Sequence, residues 1–180
     1  MFADSFAAAM SLYDSPFQAG LFRDLCTFPV TYGYSKNGNY YRDTKPTIEL
    51  ERPHKISTRS VPLDEIKMSK PRPTIANVNW SPPFQVPFTL DYGQRTDAYS
   101  DYGANLANYH QAARAFTERL NSKRAQFSHK LKPGQCVIFN NRRIVHGRQQ
   151  FATDNEERWL KGAYLDTVSD EKGALDVSFG

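Results

Sequence analysis

The chain has 180 residues, of which 39% are hydrophobic and 13% aromatic, and this composition predicts one folded domain burying about 70% of its unfolded surface rather than a disordered chain. Its net charge of +4 is spread out, with Asp and Glu among the Lys and Arg, which argues for a solvated surface and against a nucleic-acid groove. No apolar run approaches the ~20 residues of a membrane span, and the first residues lack the regions of a signal peptide, so we expect neither nucleic-acid nor membrane contact.

Cysteine usage indicates the compartment. Cys26 and Cys136 lie far apart in apolar sequence, which is typical of buried free thiols in a reducing environment rather than of a disulfide framework. We therefore expect an intracellular protein of the cytoplasm or a mitochondrion.

The first quarter of the chain predicts two short helices and a β-hairpin. Asp4–Ser5 is an N-cap signal, and Ser15–Pro16 begins a second helix because Pro is favoured at the first helical position. An extended stretch, Cys26–Tyr34, then approaches a turn at Lys36–Asn39, where Asn-Gly supplies the positive φ of a two-residue hairpin. We expect Tyr40–Tyr41 on the return strand.

The middle of the chain alternates short strands with loops before one long helix. Thr47–Leu50 and Thr74–Trp80 favour extended backbone, and the proline-rich Arg52–Pro73 between them predicts a loop. A polar loop is expected over Asp91–Ser100. Apolar residues then follow a 4-3-4-3-4 spacing, the strongest helix signal in the sequence: Tyr102, Leu106, Tyr109, Ala113, Phe116 and Leu120.

The most informative stretch is Lys132–Asp166, in which turn signals separate three short runs. Pro-Gly and Asn-Asn predict turns on either side of Gln135–Phe139, which has the length and composition of a buried strand. Two further strands are predicted at Arg143–Arg148 and Arg158–Asp166, with a polar loop between them.

These two strands carry the candidate functional side chains. His146 lies on the first and Arg158 begins the second, so an antiparallel pair of neighbouring strands would let an imidazole and a guanidinium face one cavity. The residues after Asp166 contain Gly, Asp and Ser and predict a loose tail.

The stretch also carries the pattern K-P-G-x-x-x-x-F-x-N-x-R-x-x-H-G-R followed by R-x-L-x-G-x-Y-x-D. It resembles the C-terminal end of the taurine-dioxygenase-like (TauD/TfdA) Fe(II)- and 2-oxoglutarate-dependent oxygenases, closest to the γ-butyrobetaine and trimethyllysine hydroxylases. A weaker resemblance extends upstream to Asp4–Phe6. The resemblance to this family implies a mainly β fold with a few helices, namely the C-terminal half of a double-stranded β-helix (jelly roll). Residues 1–180 would form one partial domain with its motif core at 132–166, a small-molecule substrate and a homodimer.

The resemblance implies roles for three residues. His146 would be the third protein ligand of Fe(II), which such enzymes hold with two His and one carboxylate. Arg158 would bind the distal carboxylate of the cosubstrate 2-oxoglutarate, and Tyr164 would join an aromatic cage around a trimethylammonium group, with ascorbate as reductant. Simpler alternatives are a structural His146, an ion pair of Arg158 with Glu156 or Glu157, and a core Tyr164.

The H-x-D/E motif that supplies the other two iron ligands is absent from this sequence. None of the four histidines has a carboxylate two residues later: His54, His110, His129 and His146. Because the resemblance begins at Asp4, we expect that motif and most of the cage to precede Met1, and the chain alone to be inactive. Missing barrel strands would also leave apolar surface exposed and the chain poorly soluble.

Two functions from different classes remain open. The chain is either part of a dioxygenase that hydroxylates a trimethylammonium substrate such as γ-butyrobetaine or trimethyllysine, or a non-catalytic β-rich binding module derived from the same fold. Fold alone cannot separate them.

Overall fold

The computed structural model describes residues 1–51, 72–87, 97–147, 162–166 and 176–179, with backbone alone for 97–101, 164–166 and 176–179. The chain divides into two compact units, Met1–Arg148 and Gln149–Gly180. The described elements of the first unit are, in chain order: β1 Phe2–Asp4, α1 Ser5–Tyr13, α2 Ala19–Thr27, β2 Pro29–Lys36, β3 Asn39–Pro46, β4 Ile48–Leu50, β5 Ile75–Val78, a 3-10 turn Pro82–Phe84, α3 Asp97–Leu120, β6 Gln126–Phe127 and β7 Ile144–His146. Those of the second unit are β8 Ala163–Asp166 and β9 Asp176–Phe179.

The three helices of the first unit share one apolar core. Asp4 caps α1 as predicted, accepting the Ala7 N–H at 3.1 Å. Each helix contributes fully buried side chains, of which the largest are Leu12 from α1, Phe22 and Leu25 from α2, and Tyr109 and Phe116 from α3. Burying a side chain of this size contributes about 1.5–3 kcal/mol, so this cluster is the main source of stability in the described part of the unit.

A three-stranded antiparallel sheet, in the order β6-β1-β7, lies against this core with one face only. Phe2 is opposite both Phe127 and His146, and Ala3 is opposite Val145. Ala3 belongs to the helical core and Val145 packs against it. Because side chains alternate between faces, Phe2, Phe127 and His146 share the face that points away from the helices.

The predicted hairpin is present and is longer than expected. β2 and β3 pair over eight residues each, from Pro29↔Pro46 to Lys36↔Asn39. The connecting Asn37 and Gly38 have φ of 53° and 78°, the positive values that a two-residue turn needs.

The short strands β4 and β5 form a second antiparallel pair. Ile48 is opposite Val78 and both are buried, whereas Glu49 is opposite Asn77 on the other face. The Val78 N–H donates to the Arg142 carbonyl at 3.0 Å, which ties β5 to the turn before β7.

Several boundaries differ from the sequence predictions. The described residues are mixed rather than mainly β, since α3 begins at Asp97, inside the predicted polar loop, and α2 extends to Thr27, inside a predicted strand. The second helix begins at Ala19 rather than at the predicted Ser15–Pro16, and Phe17 is left 94% exposed. At the start of α3 and at the end of α2, helical packing overrode the local turn or strand preference. The predicted Arg52–Pro73 loop lies almost entirely outside the described residues.

Two predictions near the C-terminus are wrong. Gln135–Phe139 forms no strand, because no described segment pairs with it, and Ile138 is 87% exposed. The tail is not loose throughout, since β9 pairs with β8 in a four-residue antiparallel register. No helix in the described ranges is both long and apolar enough to cross a bilayer.

Candidate functional site

His146 ends β7 on the open face of the β6-β1-β7 sheet. Its imidazole is exposed, and its ring centroid lies 4.9 Å from that of Phe139. Phe139 in turn meets Phe2 edge-on at 5.3 Å. His146 therefore stands beside an aromatic pair, on the side of the sheet opposite the helices.

An open apolar cavity of about 290 Å³ adjoins this aromatic pair. Its lining residues come from β1, β7 and the segments around β6 and residue 138: Phe2, Ala3, Asp4, Ala125, Phe127, Val137, Phe139 and Ile144. The cavity is open to solvent and lies just below the ~300 Å³ at which ligand pockets usually begin, so it marks apolar surface beside His146 and not an enclosed small-molecule pocket. Phe2 and Phe139 are shared between the cavity and the surroundings of His146.

An ion pair anchors β7 to the start of α1. The Arg143 Nε lies 3.1 Å from each carboxylate oxygen of Asp4, and the Arg143 carbonyl accepts hydrogen bonds from the Ser5 N–H at 3.0 Å and the Ser5 hydroxyl at 2.5 Å. The guanidinium also lies 5.6 Å from the Phe6 ring centroid. These contacts hold β7 in place three residues before His146. The sequence did not predict this positioning role, because Asp4 and Arg143 are far apart along the chain.

The electrostatics of this anchor favour the charged pair. Partial burial raises the pKa of the Asp4 carboxyl, but hydrogen bonds from Arg143 and the Ala7 N–H, together with the Arg143 charge, outweigh that effect and hold the pKa below its usual value. Asp4 is therefore an ionised structural carboxylate that Arg143 already occupies, and it is no candidate for a metal ligand beside His146.

A polar cluster lies on the other face of β4 and β5. The Asn79 amide nitrogen donates to the Pro46 carbonyl at 2.9 Å and to Glu49 Oε1 at 2.7 Å, and its oxygen accepts from the Asn77 amide at 2.9 Å. Both N–H groups and the oxygen of the Asn79 side chain already form hydrogen bonds, so this residue holds the strands together and is no candidate for ligand binding.

The remaining predicted residues are only partly placed. Arg158 lies outside the described residues. Tyr164 is on β8, opposite Ser178 of β9, and only its backbone is described. The ladder described for β7 is with β1, and that for β8 is with β9, so the predicted pairing of the His146 strand with the Arg158 strand is not among the described ladders.

The described residues do not fit an iron site by themselves. They contain no group of three His, Cys, Asp or Glu side chains arranged to hold a metal ion. Three protein donors are what a two-His, one-carboxylate centre requires, and His146 supplies one.

The cysteines differ from each other in environment. Both are free; Cys26 packs against the helical core, whereas Cys136 is exposed, so the expectation of two buried thiols is wrong for Cys136. Burial, helped by the charge of Asp24, raises the pKa of the Cys26 thiol well above its usual value. Neither cysteine has described donors around it that would make a metal site.

Comparison with known proteins decides the family. The family described as "Taurine catabolism dioxygenase TauD, TfdA family" matches residues 1–164. The chain belongs to the TauD/TfdA family. This confirms the resemblance inferred from the motif at 132–166 and makes the chain a member of a dioxygenase family.

Three similar proteins show what fraction of a relative's length this chain covers. It is 31% identical to "Probable oxidoreductase AIM17" of Saccharomyces cerevisiae, over 92% of this chain and 36% of that protein. It is 28% identical to the γ-butyrobetaine dioxygenase of Pseudomonas sp., over 92% of this chain and 35% of that protein. Against human γ-butyrobetaine dioxygenase the identity is 37%, over 32% of this chain and 15% of that protein. The chain thus spans about a third of the length of the first two relatives.

Proposed function

We propose that this chain is the C-terminal part of a jelly-roll catalytic domain in an Fe(II)- and 2-oxoglutarate-dependent dioxygenase. The observation that carries the proposal is the position of His146, which ends a strand on the open face, beside Phe139 and an apolar cavity. An exposed strand histidine is by itself most often an ordinary surface residue, so its place in the family motif is what favours a metal-ligand role. The TauD/TfdA match over residues 1–164 supports the same reading.

In this proposal His146 donates one imidazole nitrogen to iron. The Asp4–Arg143 pair and the Ser5 hydrogen bonds hold β7 in place, and preorganised donors bind metal more tightly than mobile ones. The other two ligands would come from an H-x-D/E motif in a part of the protein outside these 180 residues. When bound, iron would supply the redox chemistry with O₂, and ascorbate would keep the iron in its reduced Fe(II) form.

From the family motif we also infer binding roles for Arg158 and Tyr164 of the second unit. A guanidinium grips a carboxylate bidentately and stays charged when partly buried, which suits the distal carboxylate of 2-oxoglutarate. Tyr164 lies six residues after Arg158, so a continuous strand would direct both side chains to one face. The electron-rich ring would attract the trimethylammonium group of a substrate such as γ-butyrobetaine or trimethyllysine. The trimethylammonium substrate class rests on the motif and on the names of two of the relatives, which are γ-butyrobetaine dioxygenases.

The alternative is a non-catalytic binding module of the same family. The lack of a three-donor group among the described residues favours it, and the open apolar cavity would then receive a partner or ligand without redox chemistry. Iron binding separates the two proposals, because a binding module has no need of His146 as a metal donor.

The test compares substitutions at His146, Arg158 and Tyr164, with His129 as the control, in a protein that joins this chain to a segment with an H-x-D/E motif. His146→Ala should abolish Fe(II) binding and turnover, with no rescue by added 2-oxoglutarate, whereas His129→Ala, an exposed histidine outside the motif, should leave both unchanged. Normal iron binding by His146→Ala would exclude the proposed site and favour the binding module.

Arg158→Ala and Tyr164→Leu should fail in different ways from His146→Ala. Loss of a desolvated charge-assisted contact costs about 2–5 kcal/mol, so Arg158→Ala should raise the apparent 2-oxoglutarate dissociation constant by roughly 30-fold or more, with iron binding unchanged. Tyr164→Leu should weaken only a quaternary-ammonium substrate, by about 1–2 kcal/mol. A wild-type 2-oxoglutarate titration for Arg158→Ala would show that the cosubstrate assignment is wrong.

The 180-residue chain by itself should show no enzyme-like consumption of 2-oxoglutarate with iron, ascorbate and oxygen. One imidazole is too weak a site to retain Fe(II) without the other two donors. Steady turnover by the purified chain would contradict this.

A further inference from the structure

Positive charge is concentrated in one stretch of the chain, residues 119–147. This basic stretch has seven Lys or Arg and no Asp or Glu, a net +7 compared with +4 for all 180 residues, so the other residues sum to −3. Within the described residues, the one carboxylate paired with these seven is Asp4, which binds Arg143. Five more of the seven are exposed and lie in no described ion pair: Lys123, Arg124, Lys130, Lys132 and Arg142. The stretch therefore has an excess of positive charge that an anionic partner would neutralise.

Two of these cations lie on a turn whose ends both line the open cavity. The chain leaves the cavity after Phe127 and returns to it at Val137. Between these residues, the Gln135 N–H donates to the Lys132 carbonyl at 3.0 Å, and the Gln135 side-chain oxygen accepts the Lys132 N–H at 2.9 Å. These hydrogen bonds close the turn and keep Lys130 and Lys132 on the segment that joins two walls of the cavity.

The other cations adjoin the same cavity along the chain. Lys123 and Arg124 come directly before Ala125, and Arg142 comes two residues before Ile144. Both Ala125 and Ile144 line the cavity. The surface therefore has an apolar centre and positively charged surroundings, which is the arrangement of a protein interface with an apolar core and a polar rim.

The shape of the apolar centre favours one class of anionic partner. It is an open recess of about 290 Å³, and Phe127 and Val137 in its wall are 63% and 44% exposed. A recess accepts a protruding side chain, whereas a bilayer takes up side chains that protrude from the protein. A nucleic-acid backbone would contact the cations and leave the apolar side chains in water. A polypeptide can supply both an apolar anchor and carboxylates.

We propose that the open face of the β6-β1-β7 sheet docks an acidic polypeptide segment from outside these 180 residues. A large apolar side chain of that segment fills the cavity, and its Asp and Glu side chains lie beside the cations of the basic stretch. This inference goes beyond the proposed function, because it concerns the polypeptide that covers the open face, whether or not His146 binds iron.

Fluorescence anisotropy on the full 180-residue chain tests the docking surface. The probe is a short fluorescein-labelled peptide with Leu and Phe at its centre and Glu on both sides. It should bind, and added NaCl should weaken the binding because exposed charges are screened. A peptide with Lys in place of Glu should not bind. One with Gly in place of Leu and Phe should bind more weakly, by roughly tenfold or more.

Charge-reversal variants locate the binding. Lys123→Glu together with Lys130→Glu should weaken binding of the Glu peptide by roughly tenfold or more. The matched control is Lys36→Glu together with Arg42→Glu, which makes the same change in net charge at exposed positions of the β2–β3 hairpin and should leave the affinity unchanged. Phe127→Ser, which removes a ring from the cavity wall, should also weaken binding. Circular dichroism checks that each variant is folded, and the two charge variants decide the matter if Phe127→Ser is not.

Several outcomes would overturn the proposal. The first is that the Glu peptide does not bind, or that the Lys peptide binds equally well. The second is that the hairpin control loses as much affinity as the variant at Lys123 and Lys130. Tighter binding to vesicles of phosphatidylcholine with phosphatidylserine, or to a single-stranded oligonucleotide, would assign the surface to a membrane or a nucleic acid instead. A dimer that excludes the peptide would assign it to a second copy. None of these measurements involves iron, so their failure leaves the proposed iron site untouched.

Discussion

Asp4 serves two elements through one carboxylate. It accepts the Ala7 N–H at the start of α1 and binds the Arg143 guanidinium just before β7. The first contact satisfies a helix N–H that has no partner within the helix, and the second joins chain segments that are remote in sequence. One side chain thus couples the beginning of the helical core to the strand that bears His146.

Asp4→Asn should remove the charge of the contact with Arg143 and keep the helix cap, because Asn also caps helices well. The folded-state pKa of Asp4 lies below its usual value, so its contribution is present above the usual carboxyl range and is lost as pH falls through the folded pKa. Half of the Arg143 side chain is exposed, and solvent screening limits the loss to about 0.5–1 kcal/mol near neutral pH.

Urea unfolding of wild type and Asp4→Asn at neutral and acidic pH measures this. The difference in free energy of unfolding should shrink as the pH falls through the folded-state pKa of Asp4, which lies below its usual value, and it should vanish once the carboxyl is protonated in both states. Asp14→Asn, which breaks the exposed pair of Asp14 with Arg72, should change stability little. A difference for Asp4→Asn that does not depend on pH would show that the ion pair contributes nothing.

At the residue scale, the sequence predicted the features that depend on neighbouring residues in the chain. The cap at Asp4 followed from its neighbours and is confirmed. The metal-ligand role of His146 followed from a motif whose spacing is specific, and it stays a prediction. The partnership of Asp4 with Arg143, and the binding of Asn79 to Pro46 and Glu49, depend on tertiary placement, which no local spacing encodes. Arg158 stays a prediction.

The hairpin shows how local signals specify an element and where they stop. Asn37–Gly38 predicted the turn correctly, because the required positive φ restricts the residue choice. The length of β3 was not predicted, since its polar residues Asn39, Arg42 and Asp43 have little strand preference. Pairing with β2, and the packing of the Tyr40 ring over Gly33, compensate for that weak preference.

Gly33→Ala should destabilise the hairpin. A Cβ at Gly33 would lie 2.7 Å from Val86 Cγ1 and would collide with the Tyr40 hydroxyl, so the Tyr40 ring would have to leave the strand pair. Overpacking of this kind costs about 1–3 kcal/mol, and urea unfolding followed by circular dichroism measures it. Gly20→Ala is the matched control, because nothing lies within 4 Å of its Cβ in α2 and the change should stabilise by about 0.5–1 kcal/mol. Equal stability of Gly33→Ala and wild type would contradict the packing described for Tyr40.

The segment Gln135–Phe139 shows the opposite case. Its composition predicts a buried strand, yet Val137 is 44% and Ile138 87% exposed. A strand needs a neighbour for its backbone. No described segment supplies one, although Phe139 packs against Phe2. The sequence therefore predicted a buried strand, whereas the segment has no strand partner among the described residues.

For the molecule as a whole, exposed apolar side chains gather in two places among the described residues. One is the hairpin edge at Tyr40 and Tyr41, and the other is the open face near Phe127 and Ile138. Large exposed apolar patches mark interaction sites or aggregation risks. The expected exposure of apolar surface is therefore found, and its effect on solubility stays a prediction.

Ile138→Lys should improve solubility without loss of stability. The side chain is already 87% exposed, so the free energy of unfolding should change by less than about 0.5 kcal/mol, while binding of a hydrophobic dye and turbidity on concentration should fall. Phe116→Ala, which empties a fully buried core position, should cost about 3–5 kcal/mol. A destabilisation by Ile138→Lys that approaches this value would mean that Ile138 is buried in solution.

The strand order β6-β1-β7 has a consequence for how the chain is made. Phe2–Asp4 leaves the ribosome before either neighbour, and its ladder has to wait for residues 126 to 146. At ~5–20 residues per second, that wait lasts roughly ten seconds or more, and closing so long a loop then costs entropy before any contact is gained. Of the three strands in this sheet, the one that is synthesised first therefore waits longest for its partners, and throughout that interval chaperones can bind it.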